Sequence, residues 1–169
     1  SCGLKVQLSD PSTFKNYEGG IHDVMSDNIC FPAKLVHGHI NNLVKKRVNR
    51  IFMPYVIYEH QDDKRQLNSY NCPVVSGYSD VIKSVADTQI PIDSPPINFQ
   101  DEKLLKKQIR EYLSYIGFDR FTADKAFQAA VAAQKAYSDA IKAKNQEILQ
   151  KSRDNKQLTI LLAGRPYHT

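Results

Sequence analysis

Apolar residues alternate with polar ones from Leu4 to Leu8, the period of a strand, until Asp10-Pro11-Ser12 stops the run and opens a short helix through about Glu18. Gly19-Gly20 ends that helix, and Ile21 to Met25 reads as a second brief extended piece before Ser26-Asp27-Asn28. From Pro32 onward Leu35, Val36, Ile40, Leu43 and Val44 fall at helical spacing, with the proline at the favoured first helical position. Arg50 to Met53 predicts a buried strand ended by Pro54, and the polar stretch Glu59 to Asn71 predicts a loop. Pro73 to Ser76 then predicts a short strand, Ser79 to Val85 a short helix and Thr88 to Ile92 a strand, with Pro91, Pro95 and Pro96 marking a linker.

Beyond the prolines the pattern becomes purely helical. Leu105, Ile109, Tyr112, Leu113 and Ile116 make one amphipathic helix closed by Gly117. Thr122 is placed to cap the next, which carries Phe127, Ala130, Val131, Tyr137, Ile141 and Ile148. Running from Ala123 to Lys151, that helix spans about 40 Å at 1.5 Å per residue. Leu158 to Ala163 reads as a strongly apolar strand that feeds the turn Gly164-Arg165-Pro166. Alternating strands and helices argue for an α/β fold: a partial Rossmann-like domain with a mostly parallel sheet, followed by a helical connector with one long helix. The expected division is residues 1–97 for the partial α/β domain, 98–153 for the connector and 154–169 for the first strand and loop of a further unit. Both ends look cut, so the chain reads as a fragment of a larger protein.

Composition narrows the class. With 169 residues, 41% hydrophobic and 24% charged, the chain matches one soluble globular domain, or one and part of another. No apolar run approaches the roughly 18 to 20 residues of a membrane span, and Ser1 to Val6 lacks the pattern of a secretory signal. The three cysteines are widely spaced and make no disulfide framework, so a reducing cytoplasm is the simplest compartment. The net charge of +5 is mild. Lys45-Lys46-Arg47 with Arg50 reads as a solvated helix end near the negative pole of its dipole rather than a nucleic-acid face.

Chemistry concentrates in Cys30-Phe31-Pro32-Ala33-Lys34-Leu35-Val36-His37-Gly38-His39-Ile40 and in Tyr70-Asn71-Cys72-Pro73-Val74-Val75. Each block sets a thiol at the entrance to an element. In open α/β sheets that entrance is where ligands bind, and a helix N-terminus stabilises a thiolate. Cys30 and Cys72 are therefore candidate metal ligands, with iron–sulfur clusters the softest match. Buried inert thiols are the competing reading, and Cys2 is assigned an inert role. Lys34 and His37 share one face of the helix and are candidate ligand-binding residues, while the residue-level reading puts His39 in the core and His37 on the surface. Gly38, costly inside a helix by about 0.8–1 kcal/mol, suits a place where another backbone or a ligand comes close. Arg165 and His168 follow the last strand and could hold an anion. No glycine-rich phosphate loop, Ser–His–Asp set or paired general acid and base stands out.

Those two blocks, together with Ala163-Gly164-Arg165-Pro166-Tyr167-His168, resemble the uncharacterised domain of large CoA-substrate-specific enzyme activases, the proteins related to the 2-hydroxyglutaryl-CoA dehydratase activator. The similarity runs from about Leu4 to Thr169. It implies a non-catalytic piece, since ATP hydrolysis in that family belongs to a separate actin/Hsp70-like domain that drives an electron from an iron–sulfur cluster into a dehydratase. It also implies a distant likeness to the dehydratase subunits themselves, two α/β domains joined by helices, with Cys30 and Cys72 at the cluster positions. Such a cluster takes three cysteines per subunit, and this chain has Tyr55 where many members of the family carry another.

The resemblance thus implies a possible iron–sulfur cluster in the full-length protein, none retained by the isolated fragment, and other domains of the activase and a 2-hydroxyacyl-CoA dehydratase as partners. Neither nucleic acid nor a membrane is expected as a partner. The alternative is a structural or protein-interaction domain with inert buried thiols. An independent small-molecule enzyme has little behind it.

Overall fold

The computed structural model describes residues 2–61, 63, 65 and 67–161. Helix α1 (Phe14–Glu18) leads through a 3₁₀ turn (Ile21–Asp23) into helix α2 (Phe31–Lys45). Strands β1 (Ile51–Phe52) and β2 (Tyr55–Tyr58), helix α3 (Pro73–Val85) and strands β3 (Ile92–Asp93) and β4 (Pro96–Asn98) follow. Helices α4 (Glu102–Tyr115) and α5 (Arg120–Asp154) complete the order. β1 pairs with β3 and β2 with β4, both in parallel, so two small sheets lie in succession along one pair of extended segments. With α3 between them, the segments form a β–α–β unit, the arrangement expected of an α/β chain.

The break between the two sheets has a local cause. Pro54 and Pro95 supply no N–H to a ladder. The carbonyls of Pro91, Asp93 and Pro95 nevertheless accept from the N–H groups of Ile51, Met53 and Tyr55 at 2.9, 2.8 and 3.0 Å. The expected linker therefore gives way to strand β4 from Pro96 onward, and Pro95 just before it still serves the parallel edge through its carbonyl alone.

Four other expectations change. Pro73 to Val85 is one helix rather than a strand and a helix, since Pro73 sits at its first position with Val74 and Val81 against the core. Ile21 to Asp23 is a 3₁₀ turn rather than an extended piece. Leu4 to Leu8 pairs with no strand; Leu4, Val6 and Leu8 are exposed, and the Lys46 ammonium holds the segment at the Leu8 carbonyl, 2.9 Å away. Leu158 to Leu161 likewise carries no strand and lies exposed, and the rest of that expected strand falls outside the described residues.

The core lies between α2, α3 and β1, built on Ala33, Ile40, Ile51, Tyr78 and Ile82. Burying side chains of this kind is worth about 1.5–3 kcal/mol for each large one. Gly117, with φ of 97°, ends α4 as expected, and the Phe118 N–H donates back to the Leu113 carbonyl at 2.9 Å. The cap of the long helix falls three residues earlier than expected. Asp119 caps it, accepting from the Thr122 N–H at 2.9 Å and the Thr122 hydroxyl at 2.7 Å. Only Ala123 and Phe127 of α5 are buried.

Candidate functional site

Cys30 and Cys72 occupy equivalent places. Each is the N-cap of its helix, α2 or α3, with extended backbone (φ of −62° and −66°), and neither side chain caps an N–H. The carbonyls close the first turn instead: Cys30 accepts from Ala33 and Lys34, Cys72 from Val75 and Ser76. Proline in the first turn fixes each helix entrance without needing a backbone donor. Because α3 lies between β2 and the parallel β3, it runs back along the sheet, and its N-terminus comes to the carboxyl side of the strands. Cys30 is exposed and Cys72 half-buried, as is Cys2, so the inert-thiol reading loses its buried setting at Cys30.

The remaining sequence candidates divide. Lys34 stays in the first turn of α2 and donates to the Asp27 carbonyl at 2.9 Å. His37 is not at the surface: it is 2% exposed, and its Nε2 lies 2.8 Å from the Tyr78 hydroxyl, ring edge to ring face. His39 is the half-buried one, with Nε2 3.0 Å from the Ser12 hydroxyl. The core position belongs to His37 rather than His39 because α3 packs on the His37 side of α2, which helical periodicity within α2 cannot reveal. Arg165 and His168 lie outside the described residues.

Burial holds the His37 imidazole below its ordinary pKa, with the Asp23 carboxylate opposing. Burial pushes the Tyr78 phenol up, and the nearby Cys30 thiol adds to that. Cys30, Tyr78 and His37 thus form one electrostatic neighbourhood behind the entrance of α2. Tyr78 was missed from sequence; its signal was a position six residues beyond Cys72, legible only once α3 is one helix.

Gly38 meets the second half of its expectation, a close backbone. A Cβ there would stand 1.9 Å from the Asn16 carbonyl oxygen, and one on Gly20 would stand 2.1 Å from the Gly38 nitrogen. The segment from α1 to the 3₁₀ turn is thus clamped onto the middle of α2, behind Cys30. The basic cluster has structural partners: Lys46 pairs with Asp10 at 2.6 Å and Arg50 with Asp93 at 2.7 Å. Among the described residues no three of His, Cys, Asp and Glu gather as a metal site. None of their helices is long and apolar enough to cross a membrane.

A family model described as the CoA enzyme activase uncharacterised domain matches residues 1–169, the whole chain. Comparison with curated proteins and with solved structures gives no match.

Proposed function

The chain belongs to the CoA enzyme activase uncharacterised-domain family, and on that premise we propose that it is a non-catalytic domain presenting Cys30 and Cys72 to an iron–sulfur centre in redox activation. One observation carries this reading: two thiols stand as N-caps of α2 and α3 with their side chains uncommitted to capping. Soft thiolates at positive helix ends are the ligands such clusters take.

The donor set fits in part. Two thiols supply half of a four-cysteine set, and among the described residues no three of His, Cys, Asp and Glu gather to complete one. The remaining ligands then come from another domain of the activase or from a partner, for which a 2-hydroxyacyl-CoA dehydratase is our choice. The isolated domain retains no cluster on this account. A bound cluster would supply one-electron transfer, while the chain's own contribution is to hold two ligands at fixed helix entrances. Lys34 and His37 support the first entrance, the one through its bond across to Asp27, the other through Tyr78. Arg165 and His168 remain assigned to ligand binding from their sequence position. Cysteines that stay reduced suit a cytoplasmic setting.

The test is anaerobic reconstitution of the full-length protein, read by absorption spectroscopy and iron content. Loss of iron in Cys30→Ala and in Cys72→Ala is expected; unchanged iron in both would sink the ligand assignment. A second reading, an interaction domain, is favoured by α5, where Tyr137 is 63% exposed and Ile141 and Ile148 are 45% and 49% exposed. It predicts unchanged iron in those same variants.

A further inference from the structure

A second polar cluster lies away from the two cysteines, where β3 stops at Asp93 and Ser94-Pro95 interrupts the chain before β4. Between this break, the last turn of α3 and helix α4 is a recess of about 350 Å³ lined by Lys83, Asp93, Ser94, Pro95, Tyr112 and Tyr115. That volume is at the small end of ligand sites.

The floor is Asp93, 8% exposed. Its carboxylate accepts from Arg50 Nη1 at 2.7 and 2.8 Å and from the Tyr112 hydroxyl at 2.9 Å. Burial, and then that bond to Asp93, push the Tyr112 phenol up to about 12, so it stays a neutral donor. The Arg50 guanidinium is also covered by the Tyr115 ring, 5.4 Å from its centroid. Asp93 and Arg50 therefore neutralise each other and leave little net charge facing the recess.

Two groups in the wall remain under-used. The Ser94 hydroxyl is buried and has no hydrogen-bond partner, an arrangement that costs about 1–3 kcal/mol when nothing satisfies it. The Lys83 ammonium has a loose ion pair with Asp80, 3.8 Å away, whose carboxylate is already engaged by the Tyr55 hydroxyl, and it lies 5.8 Å from the centroid of the Tyr55 ring. A hydroxyl and an ammonium beside two phenol rings and a proline match an oxyanion attached to a flat or apolar body. We propose that this recess binds a small organic oxyanion, its carboxylate or phosphate head held by Lys83 and Ser94 and its body laid against Tyr112, Tyr115 and Pro95.

The proposal is independent of the cysteines, none of which lines the recess. The test is a titration of ¹⁵N-labelled protein with benzoate and, separately, phenyl phosphate at constant ionic strength, followed by NMR. Saturable shifts of the Lys83, Ser94 and Tyr112 amides are expected. Lys83→Met should weaken binding at least tenfold and Ser94→Ala several-fold, both with the native melting temperature; the tighter probe identifies the head group. Shifts that rise without saturating, that centre elsewhere, or that persist unchanged in Lys83→Met overturn the proposal.

Discussion

At the scale of single residues, the histidine pair shows what position alone leaves open. Periodicity puts His37 and His39 on different faces, but only the packing of α3 onto α2 says which face is inside. The His37 imidazole, 2% exposed and bonded to Tyr78, then makes folding depend on pH. Its pKa in the folded chain lies below the ordinary value, because burial penalises the charged form. The unfolded chain therefore binds the proton more readily. The stabilisation of the neutral imidazole is complete above the unfolded value of about 6.5 and is lost as pH falls below it. His39 shifts in the same direction from its own burial and adds to the effect. Urea midpoints should fall between about pH 7 and 5, before carboxylates begin to protonate. A midpoint that stays flat across that window would contradict the assignment. Cys30 was more legible, since a thiol followed after one residue by proline and then by apolar residues at helical spacing is a helix-entrance signal that needs no tertiary information. Val74-Val75 disguised the same entrance at Cys72 as a strand.

At the scale of elements, two glycines inside helices have opposite meanings. Gly38 in α2 lies against the Asn16 carbonyl, 1.9 Å from where a Cβ would stand. Gly77 in α3 has nothing within 4 Å of that position. Gly38→Ala must push α1 off α2 and should cost about 1–3 kcal/mol or more, as overpacking does. Gly77→Ala should instead stabilise the fold by about 0.8–1 kcal/mol through helix propensity. Chemical denaturation of the two variants decides the point: equal effects would mean that the clamp does not constrain α2. The sequence marked Gly38 as unusual because glycine is costly in a helix, but it could not say which backbone approached. It also divided α3 into strand and helix, since Val74-Val75 favours a strand locally while Pro73 and the core contacts of Val74 and Val81 favour one helix.

At the scale of the whole molecule, the chain exposes 12690 Å². A compact monomer of 19.2 kDa exposes about 8,400 Å² by the usual size scaling. Much of the excess belongs to α5, whose 35 residues bury only Ala123 and Phe127. Less surface is left to uncover on unfolding, so the urea m-value should be about four-fifths of that for a compact chain of this mass. An m-value at the full expectation would mean that the extra surface is covered in solution, by self-association or by refolding of α5 onto the core. The α/β class, the helix entrance after Cys30, the glycine stop of α4 and the long final helix were all determined by sequence, because each depends on local periodicity, proline geometry or capping. The tertiary structure alone decided which histidine is buried, that Cys72 opens a helix, that Tyr78 joins Cys30 and His37, that Gly38 receives Asn16, and that Pro95 accepts from Tyr55 just before β4, beside the Lys83–Ser94 recess. Those features depend on partners tens of residues away, and local preference carries no term for a partner it cannot reach.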